Sequence, residues 1–210
     1  MNIDVFHDIA CPWCRIGKAH LQEALSQWDS PVNVSYHPFL LNAAIPKEGV
    51  DFKTYMLAKG NHRVPLEQFF AAPRTIGASI GLTFNFEMIQ YAPNTFDAHR
   101  LIAMVDEDKQ TALIDALYTA YFEDGRNIGA LVVLADIAHE LGLERSTIYQ
   151  QLVDGVYQQL VETQLTQAQQ VGITGVPLFV FNNQFTFSGA QSPQTILNVM
   201  RQAQGAISSL

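Results

Sequence analysis

The chain has 210 residues, 48% of them hydrophobic, which is enough for a substantial core and excludes a disordered protein. Its net charge of −8 and the lack of any Lys/Arg run argue against a nucleic-acid or anionic-membrane surface. There are only two cysteines, three positions apart, a pair that suits a reagent more than a stabilising staple.

The first six residues after Met1 alternate as a strand, Asn2 to His7, with Ile3 and Val5 on one face. Both cysteines follow at once, in Cys11-Pro12-Trp13-Cys14. The next residues predict a helix: Ile16, His20, Ala24, Leu25 and Trp28 recur near a period of 3.6, and Asp29-Ser30-Pro31 stops the run. Pro12 suits a first helical turn, where a missing N–H removes no intrahelical bond. Cys11 therefore falls at the helix N-terminus, where free backbone N–H groups and the helix dipole favour an anion. Cysteines in such settings titrate at roughly 3.5 to 7.5 instead of about 8.5. Cys14, one turn further in, is expected to be the more shielded. The expected division of labour is attack by Cys11 and resolution of the mixed disulfide by Cys14.

Two other readings of the pair stand beside this one. A Cys-x-x-Cys pair can be half of a zinc site, but no second cysteine pair exists and the six histidines include no pair three to five residues apart. No metal is expected. Two inert buried thiols would also satisfy the spacing.

Val32, Val34 and Tyr36 alternate with Asn33 and Ser35 as a second strand, completing a right-handed βαβ unit with the cysteines at the C-terminal end of strand one. The chain then leaves the sheet through His37-Pro38-Phe39. Strand signals disappear for over 100 residues, and helices are predicted over 51–59, 66–80, 95–106, 110–122, 130–141 and 145–153. Gly60, Gly81, Gly125 and Gly142 punctuate them. After Asp154-Gly155 a longer helix runs to about Val171, with Val156, Leu160, Val161, Leu165 and Ala168 along one face. Leu178 to Phe181 and Gln184 to Ser188 flank Asn182-Asn183 as a hairpin. A last helix starts at Ser192-Pro193 and buries Ile196, Leu197, Val199 and Met200 before Gly205.

The order βαβ, helical block, ββα, with Cys-Pro-Trp-Cys after strand one, resembles the thioredoxin superfamily, in particular the DsbA-like branch with its inserted helical domain. The chain is similar to the FrnE-like oxidoreductases in Asp8-x-x-Cys11-Pro12-Trp13-Cys14-x-x-Gly17-Lys18, Pro38-Phe39 and Asn94-Thr95-x-x-Ala98-His99-Arg100-Leu101. The likeness continues in Ala120-Tyr121-Phe122, Gly172-Ile173-x-Gly175-Val176-Pro177 and Ser188-Gly189-Ala190-Gln191. It implies an α/β thioredoxin fold divided as 1–41, an all-helical insertion over 42–154, and 155–210.

The resemblance further implies a cis Val176-Pro177 bond that places the loop against Cys11, with Val176, Pro177, Trp13 and Pro12 shaping the substrate-facing surface. His7 departs from the small residue expected there. It is either a protonated ring that lowers the thiol pKa or an exposed ring with no part in the chemistry. Leu40 stands where an acidic residue is expected. Asn94 is read as a helix cap or a substrate contact, and His99 rides on the helix it opens. Ser188 to Gln191 is read either as small residues that let the backbone approach the active face closely or, equally, as a tight structural turn, and not as a catalytic element.

Three functions follow. The first is a thiol–disulfide oxidoreductase or isomerase acting on protein or small-molecule disulfides, with no bound cofactor and glutathione as a candidate co-substrate. The second is a glutathione-dependent isomerase or transferase of the 2-hydroxychromene-2-carboxylate isomerase or kappa-class type, which places serine where this chain has Cys11. The third is a redox-sensing chaperone or binding module, which would cycle stoichiometrically. With no basic n-region, apolar h-region or spanning segment, the expectation is a cytoplasmic protein with no membrane or nucleic-acid partner. A homodimer is compatible with the sequence but required by no feature of it.

Overall fold

The computed structural model describes residues 1–60 and 65–207. The chain forms two compact units, Met1–Leu41 joined with Gln164–Leu210, and Asn42–Thr163.

In the first unit, β1 (Asn2–His7), α1 (Pro12–Ser26) and β2 (Asn33–Pro38) form the βαβ start. β5 (Leu178–Phe181), β6 (Phe185–Ser188) and α9 (Pro193–Ile207) form its end. The sheet order is β2-β1-β5-β6, with β2 parallel to β1, and β5 and β6 antiparallel to their neighbours. Strand alternation sends Ile3, Val5, Phe179 and Phe181 to one face. There they pack with Leu21 and Ala24 of α1 and Ile196, Leu197, Met200 and Ala203 of α9. Asn182 and Asn183 both adopt positive φ, as a tight hairpin requires. The last helix runs past Gly205, and Val199 is only half-buried.

α8 (Gln158–Gln170) spans the second junction between the units. Val161 and Ala168 of its expected apolar face are buried, but Leu160 is 42% exposed, so the stripe is narrower than the sequence suggests.

The second unit is not all-helical. β3 (Val50–Asp51) and β4 (Tyr91–Ala92) pair antiparallel. Two residues per strand are too few for an alternation to register in the sequence. Its helices are α2 (Phe52–Lys59), α3 (Leu66–Ser79), α4 (Phe96–Met104), α5 (Glu107–Phe122), α6 (Leu131–Glu140) and α7 (Arg145–Val153). α5 starts three residues before the expected Gln110, because Asp106 to Asp108 supply an acidic first turn that suits the helix dipole. A stack of phenylalanines forms the core of this unit. Phe70 lies 5.7 Å from Phe52 and 4.0 Å from Phe86, and Phe84 meets Phe122 edge-on at 5.1 Å.

Candidate active site

β1 delivers the chain to Asp8, and three residues later Cys11 is the N-cap of α1, in extended conformation. Its carbonyl accepts from the N–H groups of Cys14 (3.1 Å) and Arg15 (3.3 Å), while Pro12 occupies the first helical position, where no donor is needed. The two cysteines are not bridged, and both are buried: Cys11 is 4% exposed and Cys14 2%. The expected difference in shielding between them is therefore small. The Cys11 Sγ lies 3.9 Å from the Val176 carbonyl oxygen.

The Cys14 thiol is pushed up from its ordinary range, first by burial. Its hydrogen bond with Cys11 and the electrostatics of Cys11 act in the same direction, as does the Asp8 carboxylate, while the Asp8 backbone N–H opposes them. Cys14 therefore stays a neutral thiol until something takes its proton.

Asp8 itself is 2% exposed. Its carboxylate accepts from the Ala10 N–H (3.0 Å) and the Leu41 N–H (2.7 Å), and its carbonyl accepts from Cys11 (3.1 Å). One buried acid thus shapes the turn into the dithiol and ties down the chain leaving β2. Its place in the Asp-x-x-Cys motif was visible in the sequence; its burial was not. Arg15, Lys18 and His20 of α1 are buried too, an unusual density of charge-bearing side chains around one helix.

His7 is 2% exposed, which corrects the reading of an exposed ring. The alternation of β1 places it on the same face as Ile3 and Val5, and it meets Tyr36 edge-on at 5.4 Å. Trp13 and Pro12 are half-buried at the helix start.

The Val176–Pro177 peptide is cis. Pro177 is buried and Val176 half-buried. The Pro177 ring seats on Gly17 of α1: a Cβ there would lie 3.1 Å from Pro177 Cγ and 3.2 Å from Phe179 Cζ. This explains why the motif carries glycine three residues after Cys14. The turn after β6 supports the same loop, since the Gly189 N–H donates to the Pro177 carbonyl at 2.8 Å.

In the second unit, the Asn94 amide donates to the Ile45 carbonyl (2.7 Å) and its oxygen accepts from the Phe96 N–H (3.0 Å), an Asx turn one residue ahead of Thr95, which is the N-cap of α4 in place of Asn94. His99 is buried. Arg100 pairs with Asp97 (2.5 Å) and donates to the carbonyls of Val156 (2.9 Å), Gln151 (3.3 Å) and Leu152 (3.0 Å). It closes the C-terminal end of α7, so Arg100 ties α4 to α7 within this unit.

A family model described as a DSBA-like thioredoxin domain matches residues 2–201. The chain belongs to that family. Among solved structures, a probable DsbA oxidoreductase from Streptomyces coelicolor is similar at 30% identity and a TM-score of 0.88, over 98% of this chain and 90% of its own. A 2-hydroxychromene-2-carboxylate isomerase shares the fold at 16% identity and a TM-score of 0.69, over 99% and 96% of the two chains. So does a cytosolic disulfide reductase, DsbM of Pseudomonas aeruginosa, with GSH, at 15% identity and a TM-score of 0.60, over 100% and 98%. As a DSBA-like domain, the chain has the α/β thioredoxin fold with added helices that its element order implied, and among the described residues no helix is long and apolar enough to cross a membrane.

Proposed function

We propose that this protein is a thiol–disulfide oxidoreductase whose Cys11 is the nucleophile and Cys14 the resolving thiol. The observation that carries the reading is the placement of Cys11: at the N-cap of α1, 3.9 Å from the Val176 carbonyl, with Cys14 one turn behind it as a neutral thiol. The positive end of the helix dipole faces negative charge on the attacking sulfur.

The Cys11 thiolate attacks one sulfur of a substrate disulfide. A mixed disulfide forms and the first substrate thiol leaves. Cys14 then loses its proton and attacks the Cys11 sulfur, releasing the second thiol and closing the Cys11–Cys14 disulfide. Two electrons and two protons pass from the dithiol to the substrate. Val176, Pro177, Trp13 and Pro12 form the surface against which an extended substrate segment lies, and the buried His7 borders the strand end that leads to Cys11.

We further assign it to the cytoplasm, acting on protein or small-molecule disulfides, with glutathione as the reductant that restores the dithiol. The DsbM structure with GSH supports that choice of co-substrate by fold alone. The test is multiple turnover of a peptide disulfide with glutathione recycled by glutathione reductase. Wild-type protein should reduce many disulfides per molecule and Cys11→Ser none. Full activity in Cys11→Ser, or a single stoichiometric cycle in the wild type, would defeat the reading, the second outcome in favour of a redox sensor.

A further inference from the structure

His20 lies on α1 six residues beyond Cys14, and it is 8% exposed. Its Nδ1 is 2.8 Å from the backbone carbonyl oxygen of Gln191. A carbonyl only accepts, so Nδ1 carries the proton. Gln191 belongs to a stretch between β6 and α9 that has no regular secondary structure. That stretch is held by three further bonds: the Gln191 N–H donates to the Gly189 carbonyl (2.9 Å), the Gln191 side-chain amide to the Ser188 carbonyl (3.0 Å), and the Gly189 N–H to the Pro177 carbonyl (2.8 Å). Gly189 takes φ +84°, a conformation that other residues adopt at a cost.

Followed through space, these bonds make a closed circuit. It runs from α1 through His20 to Gln191, through Gly189 to Pro177, and from Val176 back to the Cys11 sulfur at the start of α1. The three turn bonds are internal to the segment 177–191, and the His20 bond joins the Ser188–Gln191 end of that segment to the helix that carries the dithiol, as the packing of Pro177 on Gly17 joins its other end. His20 and Gln191 are 171 positions apart in the chain.

We propose that His20 is a positioning residue, which clamps the Ser188–Gln191 turn to α1 and thereby sets the Val176–Pro177 edge at the correct distance from Cys11 for substrate binding. The assignment rests on the reading of Val176 and Pro177 as the substrate-facing edge. Both the neutral Nδ1–H tautomer and the imidazolium make the bond, so the clamp does not open when the ring is protonated.

The experiment compares wild type with His20→Leu, His20→Gln and His20→Asn. Leucine removes the donor. Glutamine moves it one atom further out without adding an apolar side chain, so the comparison survives if the leucine variant fails to fold. Asparagine puts an amide nitrogen where Nδ1 stands and is the conservative variant. Two quantities are read: KM and kcat for a peptide disulfide, and amide hydrogen exchange at Gly189. His20→Leu and His20→Gln should raise KM about tenfold, with Gly189 exchanging about tenfold faster, the effect of one lost hydrogen bond. His20→Asn should return both to within about threefold of wild type.

An unchanged KM in His20→Leu and His20→Gln, Gly189 exchange unmoved in both, or a His20→Asn variant as impaired as either, would overturn the clamp. If the wild type itself fails to turn over, the oxidoreductase reading falls, while the Gly189 exchange series still decides whether His20 holds the turn.

Discussion

Gly17→Ala is a substitution in which two effects of opposite sign meet. Alanine in a helix interior is favoured over glycine by about 0.8–1.0 kcal/mol, and α1 is a regular helix at this position. The added Cβ, however, would stand 3.1 Å from Pro177 Cγ and 3.2 Å from Phe179 Cζ. Carbon–carbon contacts are most favourable at about 3.5–4.0 Å, so the neighbours must retreat by a few tenths of an ångström. Phe179 is fully buried and the proline ring is rigid, which leaves the Val176–Pro177 loop as the part that moves. Overpacking of this kind costs roughly 1–3 kcal/mol, which outweighs the helix gain. The net expectation is about 1 kcal/mol of destabilisation, or a fall in Tm of about 2–4 °C for a chain of this size. Activity should suffer more, because a displaced substrate edge changes the attack geometry: kcat/KM for a peptide disulfide should fall about tenfold. Urea unfolding and initial rates measure the two. A Gly17→Ala protein about 1 kcal/mol more stable than wild type with unchanged kcat/KM would refute the packing argument, since only the helix propensity would then have counted.

Three further outcomes follow from the charged and titrating groups. The Cys14 pKa is raised in the folded protein, so above the ordinary thiol value of about 9.0 the unfolded chain has lost a proton that the native state keeps. The reduced protein should therefore lose stability as the pH rises beyond that value, and Cys14→Ser should flatten this limb in urea titrations at pH 8 to 10. Glu144, the N-cap of α7, accepts from the backbone and hydroxyl groups of Ser146 and Thr147, which hold its carboxyl down at about 2 against an ordinary 4.5. Its contribution is present above about pH 4.5 and is lost as the pH falls towards 2, so Glu144→Gln should show a shallower acid limb over that window. Replacing Arg100 by Met strands the buried Asp97 carboxylate and three carbonyls, and should cost about 3–5 kcal/mol by urea unfolding. Lysine at position 100 should recover less than half, because a single ammonium cannot reach partners arranged for a guanidinium fork.

The parts of this architecture set by local chemistry were legible in the sequence. The bounds of β1 and the start of α1 follow from alternation, the proline and the helical period, and the hairpin follows from two asparagines that take positive φ. The strand–helix–strand order put the two cysteines beyond the C-terminal end of β1, where the structure has them. What the sequence hid depends on burial and on long-range contact. His7 shares its strand face with Ile3 and Val5, yet its side-chain type argued for solvent, and only the packed structure shows it buried. Asp8 and Lys18 are charged residues that composition assigns to the surface, but both are 2% exposed. β3 and β4 are too short for any period to reveal. The contacts of Gly17 with Pro177 and of His20 with Gln191 join residues more than 150 positions apart, beyond the reach of any local pattern. Arg100 was visible as part of a motif, but its four partners make it a closure of α7, a role no spacing could suggest.

The division of labour between the two cysteines is the centre of the account, and trapping tests it most directly. Cys14→Ser protein, mixed with a peptide disulfide and analysed by mass spectrometry after proteolysis, should accumulate a one-to-one mixed disulfide located on Cys11, because the thiol that resolves it is gone. Absence of an adduct on Cys11, or an adduct on Cys14 of the Cys11→Ser protein forming as fast as the first, would contradict it.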